Sequence, residues 1–226
     1  MIEIEAKVLV LDLDDTLYLE KQFAEGGFRS LAREFGGRIG GPRFAAECAK
    51  LLARGTRGNI FDLALSRCGI EASRELIDEM VGHYRTHEPE ISFCVDAERL
   101  FTRLAKMPTG LITDGPKETQ WAKIRTLRLD QMINHIVVTG EWGREFFKPH
   151  PRAFERIETL SSSSGRDLVY IADNASKDFV TPRKRGWQTV QILRSARIHA
   201  GAASAPGHEA DHTISSFDDL QVRMPT

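Results

Sequence analysis

The chain has 226 residues, of which 41% are hydrophobic and 28% are charged, with a formal net charge of −1 at pH 7. A chain of this length can bury one substantial core, alone or with a smaller second domain. The balanced charge excludes the general basic excess that attracts nucleic acids and anionic membranes, so we expect neither as a partner.

The first residues lack the pattern of a secretory signal. Acids stand at Glu3 and Glu5, where such a signal needs a basic start and a long apolar stretch, and no later apolar run reaches membrane-spanning length. The three cysteines are widely spaced, which predicts reduced thiols rather than a disulfide framework or a zinc site. We therefore expect a cytoplasmic protein, whose oligomeric state the sequence leaves open.

The first predicted core strand ends in a cluster of acids. Val8–Leu11 is a short apolar run of the kind that is buried on both faces of a parallel sheet. If the strand period of two continues, Asp12 and Asp14 project in a similar direction. A shared proton or a hard cation such as Mg²⁺ would offset their repulsion. The alternative is a merely polar strand end, with Asp15 or Thr16 capping the next segment.

Residues 17–96 contain no convincing strand but several stretches with helical periodicity. The predicted helices are Phe28–Phe35, Phe44–Leu52, Ile60–Cys68 and Ser73–Tyr84. A segment this long is no simple crossover, and it should form a small all-helical domain over residues 18–96. Glycines near its start are interpreted as turns or flexible joints, namely Gly26, Gly27, Gly36, Gly37, Gly40 and Gly41.

The remaining sequence alternates strands with helices. Strands are predicted at Thr109–Thr113, Ile136–Thr139, Leu168–Ala172 and Gln188–Leu193, and helices at Lys117–Leu129 and Arg152–Leu160. The alternation predicts an α/β fold with a doubly wound parallel sheet, Rossmann-like, built from residues 1–17 and 97–226. Near the C-terminus we predict a mobile loop at 195–208, then a short strand and a capped helix with Phe217 and Leu220 in the core.

A possible phosphate site follows the strand Thr109–Thr113. Pro116 suits the first position of the next helix, so the Thr113 hydroxyl and the N–H groups near Asp114 and Gly115 would converge at a helix start. The same residues also make a good capping turn, and the sequence alone leaves both interpretations open.

Lys148 lies in a segment that prolines restrict. Pro149 and Pro151 each keep the preceding residue out of the helical conformation, which holds Lys148 on an extended stretch. Its ammonium could neutralise a phosphoryl oxygen and relieve repulsion among the acids. A solvated surface lysine in a proline turn is the alternative.

The strand Leu168–Ala172 repeats the opening arrangement, because it also ends in an acid. Asp173 could be the second side-chain ligand of a cation, with Asn174 beside it in support. Asp178, predicted in the first turn of the next helix, could orient Lys148 or a metal-bound water. It could instead only stabilise the helix start.

These four segments resemble, in form and order, the four motifs of the haloacid dehalogenase superfamily. The first motif corresponds to Asp12–Thr16, the second to Thr113, the third to Lys148, and the fourth to Asp173 and Asp178. The resemblance covers nearly the whole chain, since the helical insertion is similar to the family's helical cap. The family often has a glycine before the acid of the fourth motif, where this chain has an alanine; the difference affects loop geometry but removes no ligand.

The resemblance implies a Mg²⁺-dependent phosphatase for a small phosphorylated substrate, either a sugar phosphate or a small phosphorylated acid. Asp12 would be the nucleophile that forms an aspartyl-phosphate, and Asp14 would protonate the leaving oxygen and then activate water. Mg²⁺ would be held by the side chains of Asp12 and Asp173 and by the backbone carbonyl of Asp14. Thr113 and Lys148, with N–H groups near Asp14 and Asp114, would bind the transferring phosphate.

Other members of the superfamily suggest alternatives to a phosphatase. Dehalogenases of this superfamily lack an acid at the position of Asp14, so that residue favours phosphate-ester hydrolysis. A phosphomutase would use the same pair of acids. A non-catalytic relative could use the pocket to bind metal or phosphate and act through another protein.

Overall fold

A computed structural model describes residues 1–104, 107–198 and 206–225. The chain divides into two compact units, one formed by Met1–Leu19 with Ser92–Thr226 and the other by Glu20–Ile91. The predicted boundaries at 18 and 96 therefore fall within the first unit. Asp96 belongs there because it lies in a helix, Val95–Arg103, that packs on a turn near the C-terminus.

Eight parallel strands are found among the described residues. In chain order they are β1 (Ile2–Glu5), β2 (Val8–Leu11), β3 (Thr109–Thr113), β4 (His135–Val138), β5 (Leu168–Ala172), β6 (Gln188–Ile192), β7 (His212–Ile214) and β8 (Leu220–Arg223). Six form one sheet in the order β4-β3-β2-β5-β6-β7, and β1 pairs with β8. The chain runs outward from β2 to β4, then returns to β5 and runs outward on the other side. The predicted doubly wound α/β fold is thus confirmed.

The described part of the chain holds eight α-helices. They are α1 (Glu20–Phe35), α2 (Gly41–Ala53), α3 (Ile60–Arg67), α4 (Arg74–Thr86), α5 (Val95–Arg103), α6 (Lys117–Thr126), α7 (Arg152–Ser161) and α8 (Val180–Lys184). The first four belong to Glu20–Ile91, which we refer to as the helical unit. In none of the described helices is an apolar stretch long enough to cross a bilayer.

Continuous apolar sequence explains why β2 and β5 occupy the middle of the sheet. Every residue of both strands is buried, as expected for central strands of a parallel sheet. Val10 and Tyr170 belong to a core cluster with Phe154 of α7 and with Trp187. This core fixes the strand ends that carry the acids.

Two glycines of the helical unit differ from their prediction as turns. Gly26 and Gly27 lie inside α1, which begins at Glu20, well before the predicted start. A Cβ on Gly27 would collide with the ring of Tyr84 on α4, so the small residue permits close packing of the two helices. Gly36 and Gly40 have positive φ angles in the turn before α2, as predicted, and Gly41, also with a positive φ angle, is the first residue of that helix.

The C-terminal region also differs in detail from the prediction. The predicted capped helix is a single 3-10 turn, Phe217–Asp219, whose cap is the hydroxyl of Ser216. Phe217 and Leu220 are buried in the core, as predicted. Of the loop predicted at 195–208, residues 199–205 lie outside the described part of the chain.

Arg194 joins the two points where the chain leaves and re-enters the first unit. Its guanidinium donates to both carboxylate oxygens of Asp96, at 2.8 and 2.7 Å, and to the carbonyl of Thr16, at 3.1 and 2.7 Å. Thr16 precedes the helical unit in sequence and Asp96 follows it. Burial would raise the pKa of Asp96, but Arg194 outweighs that effect and lowers it. Arg194 therefore anchors both connecting segments.

Replacing Arg194 by Ala should lower the free energy of unfolding by about 3 kcal/mol, because the carboxylate of Asp96 would stay buried without its cation. Urea unfolding of the purified protein measures the change. Arg223→Ala is the matched control, since it breaks an exposed pair with Glu3 and should cost less than about 1 kcal/mol. Equal losses for the two variants would contradict the anchoring role.

Candidate active site

The predicted acids meet at the carboxyl edge of the sheet. The N–H of Asp12 donates to the carbonyl of Ile171 at 2.9 Å, so the pairing of β2 with β5 continues one residue past the end of β2. This extra bond fixes Asp12 beside the end of β5, where Asp173 follows. The position agrees with the general rule that such sheets bind ligands beyond the carboxyl ends of their strands.

Three buried carboxylates form a cluster here, those of Asp12, Asp173 and Asp178. One oxygen from each lies within 4.8 Å of the others. Burial, together with repulsion from Asp12 and Asp178, raises the pKa of Asp173 to about 9. Burial also raises the pKa of Asp12 to about 6, although Lys148 opposes the shift. Lys148 alone therefore does not offset the negative charge of the cluster, which could hold a metal ion.

Several buried oxygen atoms in this region also lack hydrogen-bond partners within the described residues, among them Oδ2 of Asp173 and Oγ1 of Thr113. A buried polar atom without a partner is costly, and native sites usually pair such atoms with a ligand or an ion. The donor set of carboxylate oxygens suits a hard divalent cation.

Lys148 lies in the centre of the cluster. Its ammonium is 2.7 Å from Oδ1 of Asp12, 2.8 Å from Oδ1 of Asp178 and 3.0 Å from the hydroxyl of Tyr170. Its side chain is 0% exposed, so the interpretation as a solvated surface lysine is wrong. Burial lowers the pKa of Lys148, but the attraction of Asp12 and Asp178 outweighs burial and raises it well above its usual range.

Asp178 lies before its helix rather than in the first helical turn, which corrects the prediction. Helix α8 begins at Val180, and Asp178 is in the preceding bend. One of its oxygens faces Lys148, and the other accepts the N–H of Asn174 at 3.0 Å. The Asn174 side chain in turn accepts the N–H and hydroxyl of Ser176. These bonds fix the loop that follows β5.

Asp14 has its own buried lysine, which was not predicted from the sequence. Lys123 Nζ lies 2.7 Å from Oδ1 of Asp14, Gln120 Nε2 lies 3.0 Å from Oδ2, and the Tyr18 hydroxyl also donates to this carboxylate. We expected a shared proton or cation to offset repulsion between Asp12 and Asp14. The structure places a separate lysine beside each acid, Lys148 beside Asp12 and Lys123 beside Asp14, and the cation at Asp12 stays a prediction.

The charge environment of Asp14 is opposite to that of Asp173. Burial would raise the pKa of Asp14, but attraction by Lys123 and the hydrogen bonds from Lys123, Tyr18 and Gln120 together lower it. A signal for this contact exists in the sequence. Gln120 and Lys123 share helical spacing with Ile124 and Leu127, so two polar residues fall on the buried face of α6.

The carboxylate of Asp114 connects several loops. It accepts the Thr139 hydroxyl at 2.8 Å, the Lys148 N–H at 3.1 Å and the Lys177 ammonium at 2.8 Å. Attraction by Lys148 and Lys177 outweighs burial and lowers its pKa. This side chain thus holds the lysine segment in place, and only the backbone of Asp114 could serve a phosphate. Helix α6 begins at Lys117, where the predicted range also begins, and Pro116 is its N-cap rather than its first residue.

Comparisons with known proteins agree on one family. A profile of the haloacid dehalogenase-like hydrolases matches residues 6–181. The glyceraldehyde 3-phosphate phosphatase of Pyrococcus furiosus is 28% identical over 193 residues, which are 81% of this chain and 79% of that protein. The glyceraldehyde 3-phosphate phosphatase of Methanopyrus kandleri is 25% identical over 200 residues, 83% and 84% of the two chains. The HAD-hydrolase YfnB from Bacillus subtilis shares the fold, with a TM-score of 0.70 and 19% identity over 95% of this chain and 96% of that one.

Proposed function

The chain belongs to the haloacid dehalogenase-like hydrolases, and within that family we propose that it is a phosphatase acting on a small phosphorylated sugar or a small phosphorylated acid. The observation that carries this proposal is the buried cluster in which Lys148 bridges Asp12 and Asp178 beside Asp173. The two phosphatase relatives act, by name, on glyceraldehyde 3-phosphate. That compound is therefore the first substrate to test.

We propose Mg²⁺ as the cofactor, held by the side chains of Asp12 and Asp173 and by the backbone carbonyl of Asp14. The unpartnered Oδ2 of Asp173 and the raised pKa values of Asp12 and Asp173 support a cation at this position. When bound, the ion would withdraw charge from the phosphoryl oxygens and so favour attack at phosphorus. Asp178 already uses both of its oxygens, which fits support of Lys148 better than direct metal binding.

The protein side chains supply the remaining chemistry. Asp12 attacks phosphorus and forms an aspartyl-phosphate, while the alcohol of the substrate leaves. Lys148 holds the nucleophile in position and, with the Thr113 hydroxyl, stabilises the transferring phosphoryl group.

Asp14 donates a proton to the leaving oxygen and then accepts a proton from the attacking water. Its lowered pKa favours the second step, in which an ionised carboxylate accepts a proton from water. The first step needs a protonated carboxyl group, so some of its contacts with Lys123, Gln120 and Tyr18 must be exchanged during that step. The role of the helical unit as a cap that selects the substrate stays a prediction, as does a cytoplasmic location.

The proposed function is tested by phosphate release from a generic aryl phosphate, glyceraldehyde 3-phosphate and a panel of other small phosphate esters. We expect turnover with Mg²⁺, loss of turnover with excess chelator, and recovery when Mg²⁺ is added back. Absence of turnover on every member of the panel, with folded protein and Mg²⁺ present, would contradict the proposal.

The proposed metal site predicts a specific dependence on pH. The pKa of Asp173 rises from 3.8 in the unfolded chain to about 9 in the folded one, so the metal-free folded protein holds a proton there that the unfolded chain has lost. The metal-free protein should therefore lose stability as pH rises from about 5 to 9. Because Mg²⁺ must displace that proton, its apparent affinity should rise by up to about tenfold per pH unit over this range.

Thermal unfolding and calorimetric titration with Mg²⁺ at pH 6, 7 and 8 measure both effects. The variant Asp173→Asn should bind Mg²⁺ more weakly at every pH. Its Mg²⁺ affinity should also depend much less on pH. A Mg²⁺ affinity that does not change with pH in the unmodified protein would contradict the placement of the metal at Asp173.

A further inference from the structure

Three lysines surround the candidate site, and they differ in burial and in how many protein groups their ammonium groups contact. Lys148 is completely buried, and its three N–H groups face Asp12, Asp178 and Tyr170. The side chain of Lys123 is 4% exposed and its ammonium pairs with Asp14. The side chain of Lys177 is 33% exposed, and within the described residues its ammonium makes one hydrogen bond, to Oδ2 of Asp114. Lys177 can therefore offer N–H donors to a ligand that arrives from solvent.

The position of Lys177 joins two loops of the site. Lys177 directly precedes Asp178 in the loop after β5, and its partner Asp114 directly follows Thr113 at the end of β3. Its ammonium is close enough to Asp12 to lower the pKa of that carboxyl group, as Lys148 does. Lys177 thus lies at the edge where the nucleophile and the unpartnered Thr113 hydroxyl are found.

The charge balance of the site also favours a cation at this position. Carboxylates outnumber the three ammonium groups of this region. With a divalent ion bound, loss of Lys177 would leave one more negative charge uncompensated, and that charge would oppose the entry of a phosphate dianion.

We propose that Lys177, held in place by Asp114, is a phosphate-contacting residue that donates to an oxygen of the substrate phosphoryl group. The inference rests on the proposed function of the site as a phosphatase. It assigns to the loop after β5 a part in binding the substrate, in addition to its proposed part in binding the metal.

The test compares Lys177→Gln and Lys177→Arg with the unmodified protein. Glutamine can keep a hydrogen bond to Asp114 without the charge, and arginine keeps the charge. The matched control is Lys184→Gln, at an exposed lysine on α8. The probe is inorganic phosphate, titrated by calorimetry at saturating Mg²⁺, and KM and kcat are measured with an aryl phosphate.

We expect Lys177→Gln to weaken phosphate binding by about tenfold to a hundredfold, the usual effect of losing a charged hydrogen bond. KM should rise by a similar factor, with a smaller change in kcat. Lys177→Arg should bind phosphate within about threefold of the unmodified protein, and the control should not differ from it. The affinity for Mg²⁺ without phosphate should stay within about twofold in all variants, which a mere disruption of the loop would not allow.

Phosphate binding by a folded Lys177→Gln variant within about twofold of the unmodified protein would overturn the inference, as would a parallel loss of Mg²⁺ affinity. If Lys177→Gln does not fold, Lys177→Met takes its place, and phosphate binding by that variant within about twofold of the unmodified protein would also overturn the inference. Failure of the unmodified protein to hydrolyse any ester would refute the proposed function. The calorimetric comparison would still decide the role of Lys177.

Discussion

Asp12→Asn should reduce the rate of phosphate release by about four orders of magnitude or more, the loss typical of removing a covalent nucleophile. The amide is nearly the same size as the carboxylate, but its nitrogen and oxygen are poor nucleophiles, and one charged metal ligand is lost. The protein should remain folded, because Lys148 keeps its contacts with Asp178 and Tyr170. Steady-state phosphate release with saturating Mg²⁺ measures the effect.

Asp130→Asn provides the matched control for that variant, since Asp130 is exposed in a turn after α6. The control should retain full activity. If folded Asp12→Asn retained more than about one hundredth of the unmodified rate, the assignment of the nucleophile would be wrong.

Lys148→Met should lower both the stability and the activity of the protein, because it removes the cation from two buried carboxylates. We expect the free energy of unfolding to fall by about 3 kcal/mol near neutral pH, the cost of breaking a buried ion pair on one side. The rate of phosphate release should fall by about a thousandfold, since both the nucleophile and the phosphoryl group lose their neutralising charge.

The stability loss of Lys148→Met should depend on pH in a defined direction. Without the lysine, the pKa of Asp12 should rise further, so that this group takes up a proton as pH falls and becomes neutral. The loss should therefore be smaller at pH 5.5 than at pH 8 in urea unfolding without Mg²⁺. Lys148→Arg, which keeps the charge, should lose less stability than Lys148→Met. An equal loss at both pH values would indicate that packing, rather than charge, dominates at this position.

The fold could be predicted where local sequence and tertiary environment agree. The apolar runs of β2, β3 and β5 have their predicted bounds, because strands buried on both faces need continuous apolar sequence. The strands β1 and β8 were missed, since Ile2–Glu5 and Leu220–Arg223 mix polar and apolar residues and pair only with each other. Their pairing brings together two segments that are far apart in sequence, and no local sequence pattern predicts it.

In the candidate site, too, some residues could be predicted from the sequence and others could not. The acids after β2 and β5 could be predicted because a parallel sheet brings its strand ends to one edge. The partners of Asp14 were missed: the helical spacing of Gln120 and Lys123 indicates that they are buried, but not that they contact an acid more than a hundred residues earlier in the chain. Lys177 was also missed, because its partner Asp114 lies on another loop and both residues are ordinary loop residues in sequence.

We propose that Asp12 and Asp173 hold one divalent cation beside Lys148 at the carboxyl edge of the sheet. A crystal structure of the protein grown with Mn²⁺, with the ion located by its anomalous scattering, is the decisive measurement. We predict one strong peak about 2.2 Å from a carboxylate oxygen of Asp12 and of Asp173. If saturating Mn²⁺ binds elsewhere and leaves both carboxylates without an ion, the proposed metal site is wrong.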